Sequence, residues 1–238
     1  MGLKKYIPDA ITSLNLLCGV LGVILTLKGR PDSGFLLMLC AAAADFCDGF
    51  AARLLKAGSD FGRELDSLAD DVSFGVLPAV MLCEISGTEV LFLKYFPAVL
   101  AVFSGLRLAK FNLDDRQHGG FLGLPTPASA MICGSLACFV CRSPGSFLAR
   151  WCASPVFIPL LAVLLCALLV SEVPMFAMKF GTGARTSRLD RVKRIVFLAV
   201  VLAAAAVVLA LHLHWSAAVL VSFTGYVLVN LLTCKCAA

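Results

Sequence analysis

Long apolar runs interrupted by short polar clusters give this chain its pattern. A run of about 20 mostly apolar residues, rising about 1.5 Å per residue, crosses the roughly 30 Å hydrocarbon core of a bilayer. Eight stretches meet or approach that length: 7–27, 35–55, 64–83, 90–108, 126–140, 155–171, 195–211 and 217–232. They predict an all-α integral membrane protein, a polytopic helical bundle of about eight transmembrane helices. Six spans are the alternative, with two of the stretches re-entrant or interfacial. The first run carries polar residues and is followed by no A-x-A cleavage site, so it reads as a retained helix. The connecting loops are too short to fold separately, which predicts one transmembrane domain over 1–238.

Composition sharpens the class. The 238 residues are 60% hydrophobic and 15% charged, against about 45–50% and about 25% in ordinary soluble domains. The net charge is +5, but the cations fall in short clusters between apolar runs and form no basic domain, so no nucleic-acid partner is expected. Eight spans would gather 15 of the 20 Lys and Arg on the side of the two termini, leaving Lys28, Arg30, Arg142 and Arg150 opposite and Lys94 near a span. The positive-inside rule then puts both termini in the cytoplasm. The basic linker 179–194 reads either as a topology anchor at anionic lipid head groups or as a gate or phosphate site.

Eleven cysteines suggest no disulfide framework, since Cys18, Cys40, Cys47, Cys83, Cys133 and Cys166 fall in apolar stretches as small hydrophobes. Cys138-x-x-Cys141 and Cys234-x-Cys236 lack a second ligand pair and a redox-domain context. His118 lies in a loop, and His212 and His214 fall at the opposite membrane face from the acids described next, so no catalytic histidine is expected.

Chemistry enters where carboxylates interrupt the apolar pattern, because a charge at membrane depth is costly and is usually retained for function. Asp45 and Asp48 are i and i+3 on a helix, with Gly49, Ala52 and Arg53 continuing that side; Gly62, Asp66 and Asp70 are spaced by four on the next. Four neighbouring anions repel unless protonated or offset by cations. Divalent cations of the Mg²⁺, Mn²⁺ or Ca²⁺ type suit clustered carboxylate oxygens and leave positions open for a phosphate-bearing ligand. Glycines and Ala52 would let that ligand approach the backbone, and Arg53 could pair with a phosphate or an acid. The same acids also fit an intramembrane polar network or the relay of a cation or proton transporter. Their position near the cytoplasmic ends of consecutive helices, without a second set elsewhere, favours an enzyme at the membrane surface.

The motif Asp45-x-x-Asp48-Gly49-x-x-Ala52-Arg53, eight residues, then Gly62-x-x-x-Asp66-x-x-x-Asp70, resembles the signature of the CDP-alcohol phosphotransferase family, matching at all eight positions. The signature spans only 26 residues. Further segments resemble the serine-using members: PDAITSLN at 8–15, ELDSLADDVSFG at 64–75, LRLAKFN at 106–112 and GLPTPA at 123–128. The resemblance implies a six-helix core with extra helices, and transfer of a phosphatidyl group from CDP-diacylglycerol to the hydroxyl of L-serine with release of CMP. It implies two divalent cations, Mn²⁺ or Mg²⁺, one on Asp45, Asp48 and Asp66 and the other on Asp45, Asp66 and Asp70. Asp70 would be the general base, with Asp66 beside it in catalysis. Gly49, Ala52 and Gly62 would line the cytidine pocket, with Arg53, Thr12 and Asn15 contributing. The resemblance further implies a homodimer in the inner membrane with its site on the cytoplasmic side, fed with lipid substrate from the leaflet through a lateral groove.

Serine carries a carboxylate and an ammonium, and Arg107 and Asn112 are the candidates for its pocket, although both also suit topology and helix capping. Lys110 stands where relatives often have Arg, and Asp9 where they often have Asn. Asp71, about 100° from Asp70 on a helix, should face away from the metals, toward a salt bridge or a neighbouring subunit. A sugar- or polyol-phosphate acceptor is the second enzymatic reading, requiring extra cations from Arg63 or the 179–194 linker.

Overall fold

The computed structural model describes residues 6–113, 121–175, 188–210 and 213–234. Helix α1 (Tyr6–Leu27) is followed by α2 (Pro31–Leu55), which opens on proline, a residue suited to the first helical turn because its missing N–H needs no partner there. Helix α2 stops at Lys56, whose φ of 49° is left-handed and whose N–H reaches back to the Ala52 and Arg53 carbonyls. The next stretch begins as α3 (Asp60–Asp70), passes through a π-helical segment (Asp71–Val76) and continues as α4 (Leu77–Ile85). Pro78 explains the widened turn: it offers no N–H to the Phe74 carbonyl and its ring would crowd that group in a regular helix.

A short helix α5 (Leu91–Tyr95) and a 3₁₀ turn lead into α6 (Val99–Leu113). Strand β1 (Phe121–Leu122) precedes α7 (Thr126–Arg142), α8 (Phe147–Cys152) and α9 (Phe157–Val170). Strand β2 (Pro174–Met175) pairs antiparallel with β1, placing Phe121 opposite Met175. Helices α10 (Arg188–Ala210) and α11 (Ser216–Cys234) complete the fold. Of the linker 179–194, residues 179–187 lie outside the described residues, as do Lys4, Lys5, Arg116, His118, His212, Lys235 and Cys236.

Each apolar stretch read from the sequence coincides with helix, and the fold is overwhelmingly helical. Among the described residues, four helical stretches are long and apolar enough to cross a membrane: Tyr6–Leu27, Pro31–Leu55, Leu91–Leu113 and Ser216–Thr233. Thr126–Arg142, Phe157–Val170 and Ile195–Ala210 are apolar but shorter. The two-residue strand pair has no counterpart in the apolar pattern, since elements this short leave no periodicity.

Packing is inverted relative to a water-soluble bundle. Helix α1 buries Thr12, Asn15, Gly19, Gly22 and Thr26, while Leu14, Leu17, Leu21 and Ile24 are exposed. Such a face of small and polar residues lets helices approach closely, and the leucines suit lipid. At the centre lies α7, buried almost throughout from Thr126 to Phe139 and packed against α2, α4 and α11. Its Gly134 meets α2 with no room for a side chain: a Cβ there would lie 2.6 Å from Phe35 Cδ2. Phe35 is fully buried and stacks on Trp215 at 5.6 Å, so it has little freedom to retreat. Gly134→Val should therefore cost about 1–3 kcal/mol by overpacking, read as a lowered Tm in detergent; an unchanged Tm would mean that α2 and α7 are not tightly apposed.

The membrane face away from the acids is tied by the Arg142–Asp32 ion pair at 2.6 Å between the end of α7 and the start of α2. His214 exchanges a 2.9 Å hydrogen bond with Ser216 and lies 3.9 Å from Cys138, consistent with a structural role. Cys18, Cys40, Cys47, Cys83, Cys133, Cys138, Cys141, Cys152 and Cys166 are free thiols.

Candidate active site

The site is built by the C-terminal half of α2, the start of α3 and the first turns of α1. Asp45, Asp48 and Asp66 each offer one carboxylate oxygen within 4.8 Å of the others. Asp45 and Asp48 share a face of α2, and the sharp exit at Lys56 returns the chain so that α3 packs on α1 and brings the Asp66 carboxylate to them. Helix α3 begins at Ser59, whose hydroxyl accepts the Gly62 N–H at 3.0 Å and satisfies one orphan donor of the first turn.

The carboxylates are held individually. Thr12 Oγ1 donates to Asp48 Oδ2 at 2.6 Å, and Asp48 is only 5% exposed. Asn15 Nδ2 donates to Asp70 Oδ1 at 3.1 Å, while Ser73, in the π-helical segment, donates to the Asn15 carbonyl at 3.1 Å. Asp70 lies within electrostatic reach of Asp45, Asp66 and Asp48, so four acids share one neighbourhood. Asp66 Oδ1 is buried and has no hydrogen-bond partner among the described residues. A buried carboxylate oxygen left unpaired beside other anions is costly. Hard oxygen donors arranged in this way fit a divalent cation such as Mg²⁺ or Mn²⁺.

Beside the acids opens a cavity of about 210 Å³ lined by Pro8, Asp9, Thr12, Asp48, Gly49, Ala52, Ala57, Gly58, Ser59, Gly62, Arg63 and Asp66. Thr12, Gly49, Ala52 and Gly62 therefore meet in one place. A Cβ on Gly62 would lie 2.8 Å from Asp9 Oδ1 and 3.1 Å from Ser59 Oγ, so a side chain there would crowd the pocket. Arg53 is exposed and does not line the cavity, its guanidinium lying back along α2 near Gly49. Asn15 also stands outside the lining and is engaged with Asp70 instead. Pro8, Ala57, Gly58 and Ser59 escaped sequence reasoning; the available signal was the Gly58-Ser59 helix start, a capping pattern rather than a chemical one.

The two acceptor candidates occupy different surroundings. Arg107 is 7% exposed on α6, with Nη1 at a long 3.5 Å from Thr126 Oγ1 and its guanidinium 5.9 Å from the Phe111 ring centroid. Its Nε has no partner among the described residues, and the guanidinium lies within electrostatic reach of Asp70 and Tyr226. Asn112 donates to Ser67 Oγ at 2.9 Å and so fastens the end of α6 to α3. Lys110 pairs with Glu172 at 3.8 Å on the surface.

Asp71 lies on the side of its helix that meets α6 of the same chain. A Cβ placed on Gly75 would lie 2.7 Å from both Asp71 Oδ1 and Ser104 Oγ, and Gly105 closes the same space. The physical reason is the continuation of the helix: α6 packs along the π-helical segment and covers the side that Asp71 occupies.

Comparison with known proteins agrees with this construction. The family model for CDP-alcohol phosphatidyltransferase matches residues 5–158, from the first turn of the site through α7 and α8. The CDP-diacylglycerol–serine O-phosphatidyltransferase of Bacillus subtilis is 39% identical over 128 residues, 53% of this chain and 72% of that protein. The protein of the same name from Methanocaldococcus jannaschii is 33% identical over 167 residues, covering 70% and 72%. The one from Mycobacterium leprae is 35% identical over 181 residues, 72% of this chain but 58% of its own length. With more than half of its length matched and its paired-helix carboxylates gathered beside a small-residue pocket, the chain belongs to the CDP-alcohol phosphatidyltransferase family.

Proposed function

We propose that this protein transfers the phosphatidyl group of CDP-diacylglycerol to the hydroxyl of L-serine, giving phosphatidylserine and CMP. The observation that carries the reading is the convergence of Asp45, Asp48 and Asp66 at the rim of the Gly49–Ala52–Gly62 cavity. The names of the relatives support serine as acceptor.

In this scheme the nucleotide enters the cavity between α1, α2 and α3, with Gly49, Ala52 and Gly62 admitting it to the backbone and Thr12 holding Asp48 in place. Arg53, exposed outside the cavity with its guanidinium near Gly49, would turn inward to meet a phosphate. Divalent cations, Mn²⁺ or Mg²⁺, one on Asp45, Asp48 and Asp66 and one on Asp45, Asp66 and Asp70, supply charge neutralisation and polarisation of the diphosphate when bound. Asp70, oriented by the Asn15 amide, accepts the proton of the serine hydroxyl. The hydroxyl oxygen bonds to the phosphorus on the diacylglycerol side as the bond to the CMP oxygen breaks. Arg107 binds the serine carboxylate, and Asn112 keeps α6 registered on α3. Holding the reactants in place accounts for much of the acceleration, because CMP is already a good leaving group.

The chain functions as one transmembrane domain in the inner membrane, as a homodimer, with the acids at the cytoplasmic face. The gathering of 15 of the 20 cations on the side of the termini supports that orientation. The exposed leucines of α1 support lateral access for a substrate whose tails stay in lipid.

CMP release by the purified protein, given CDP-diacylglycerol and Mn²⁺ or Mg²⁺, tests the proposal. Release should depend on L-serine, fail with glycerol 3-phosphate or inositol 1-phosphate, and stop with EDTA. Release with a phosphorylated acceptor would replace serine. Ion flux without CMP formation would point to a transporter.

A further inference from the structure

One wall of the cavity beside the acids has no part in the transfer scheme. Of the polar side chains that line the cavity, Thr12 donates to Asp48 at 2.6 Å, Ser59 Oγ accepts the Gly62 N–H at 3.0 Å, and Arg63 lies 3.5 Å from Asp60, while Asp48 and Asp66 belong to the acid cluster. That leaves Asp9. Its backbone carbonyl accepts from Ser13 at 2.8 Å, but its carboxylate has no hydrogen bond or ion pair among the described residues. Asp9 Oδ1 stands against Gly62, 2.8 Å from where a Cβ there would lie, so the missing side chain of Gly62 leaves space in front of this oxygen.

A carboxylate accepts hydrogen bonds and repels phosphate. Whatever faces Asp9 therefore donates and carries no negative charge. Asp9 stands three residues before Thr12 on α1, and Gly62 four before Asp66 on α3, so this wall lies about one helical turn, roughly 5 Å, back from the acids. With the diphosphate held at the acids, the next group along the nucleotide is the ribose, and the base lies beyond it. Ribose presents two adjacent hydroxyls, and acidic side chains bind ribose hydroxyls in dinucleotide sites for the same reason. Two carboxylate oxygens match two hydroxyl donors, and the charge strengthens each bond.

We propose that Asp9 reads the sugar of the nucleotide: its carboxylate accepts from both hydroxyls of the ribose diol, so that the protein prefers a ribonucleotide lipid to its 2′-deoxy counterpart. This rests on the transfer reaction proposed above and names the form of the nucleotide substrate that its cavity selects.

The test compares the full-length wild type, Asp9→Ala and Asp9→Asn, given L-serine, Mn²⁺ and either CDP-diacylglycerol or 2′-deoxy-CDP-diacylglycerol. Loss of one hydrogen bond to a charged group should raise the wild-type KM for the deoxy substrate about tenfold or more over that for the ribo substrate. In Asp9→Ala the two KM values should converge, through a rise for the ribo substrate, with Asp9→Asn between; kcat and the KM for serine should stay within about twofold. Protection against thermal unfolding by CMP and by 2′-deoxy-CMP reads the same contact without turnover, and should favour CMP in the wild type alone. A ribo preference that is absent from the wild type, or that survives intact in Asp9→Ala, overturns the proposal. So does a lowered Tm in Asp9→Ala with the preference unchanged, which would make Asp9 only a favourable charge at the start of α1. Inhibition by UMP separates the base: a CMP-over-UMP preference that vanishes in Asp9→Ala while the ribo preference stays would assign Asp9 to the cytosine amine and overturn the sugar reading. Absence of serine-dependent release by the wild type, with CMP still protecting it better than 2′-deoxy-CMP, would instead overturn the reaction on which the proposal rests.

Discussion

Asp66→Asn should abolish CMP release, with turnover falling by roughly a thousandfold or more because this residue is assigned to both cation sites. The same substitution should leave the fold intact and give an opposite sign in two stability measurements. Without divalent ions, Asp66 Oδ1 is a buried, unpartnered carboxylate oxygen within electrostatic reach of Asp48 and Asp45. Removing its charge relieves repulsion, so in EDTA the variant should unfold at an equal or higher temperature than the wild type. With saturating Mn²⁺ the order should reverse, since only the wild type gains the full binding free energy of the ions. Thermal unfolding with and without Mn²⁺, alongside CMP release, checks both parts. A variant that keeps near-normal turnover, or that unfolds earlier even in EDTA, would remove Asp66 from the metal site.

Gly62→Val should act on the nucleotide rather than on the chemistry. Its Cβ would enter the space between Asp9 Oδ1, at 2.8 Å, and Ser59 Oγ, at 3.1 Å, and the two γ-methyls would occupy the cavity itself. Asp9 is a side-chain tip that can move, so the cost to the fold is small; the cavity volume is what is lost. The KM for CDP-diacylglycerol and the inhibition constant for CMP should both rise, by about 10- to 100-fold, while the KM for serine stays near its original value. An unchanged CMP inhibition constant would place the nucleotide elsewhere.

The four acids were legible in sequence because their spacing is local: i to i+3 on α2 and i to i+4 on α3 are read directly as faces. Gly49, Ala52 and Gly62 came with the same signature and Thr12 with the 8–15 segment, and the four line one cavity. Arg53 belongs to the signature and Asn15 to the 8–15 segment, but direction is set by neighbours: one side chain lies back along its own helix, the other bonds to Asp70. Helix α7 shows why hydropathy misleads at the centre of a bundle. Its glycine, serines and cysteines make it a modest candidate for lipid, yet it is the most enclosed helix of the fold because protein, not lipid, surrounds it.

The widened turn between Asp70 and Leu77 has a consequence for how this site is tuned. One extra residue in a helical turn shifts everything after it by about 100° about the axis. The carboxylate-bearing half and the core-packing half of this helix are therefore out of phase by a fixed step, like two cogs keyed to one shaft at different angles. Closing residues 71–76 into a regular helix by deleting one of them would leave both halves intact in sequence while swinging Asp66 and Asp70 away from Asp45 and Asp48. The aim of the acids and the packing of α4 can thus vary independently, with a single residue setting the angle between them.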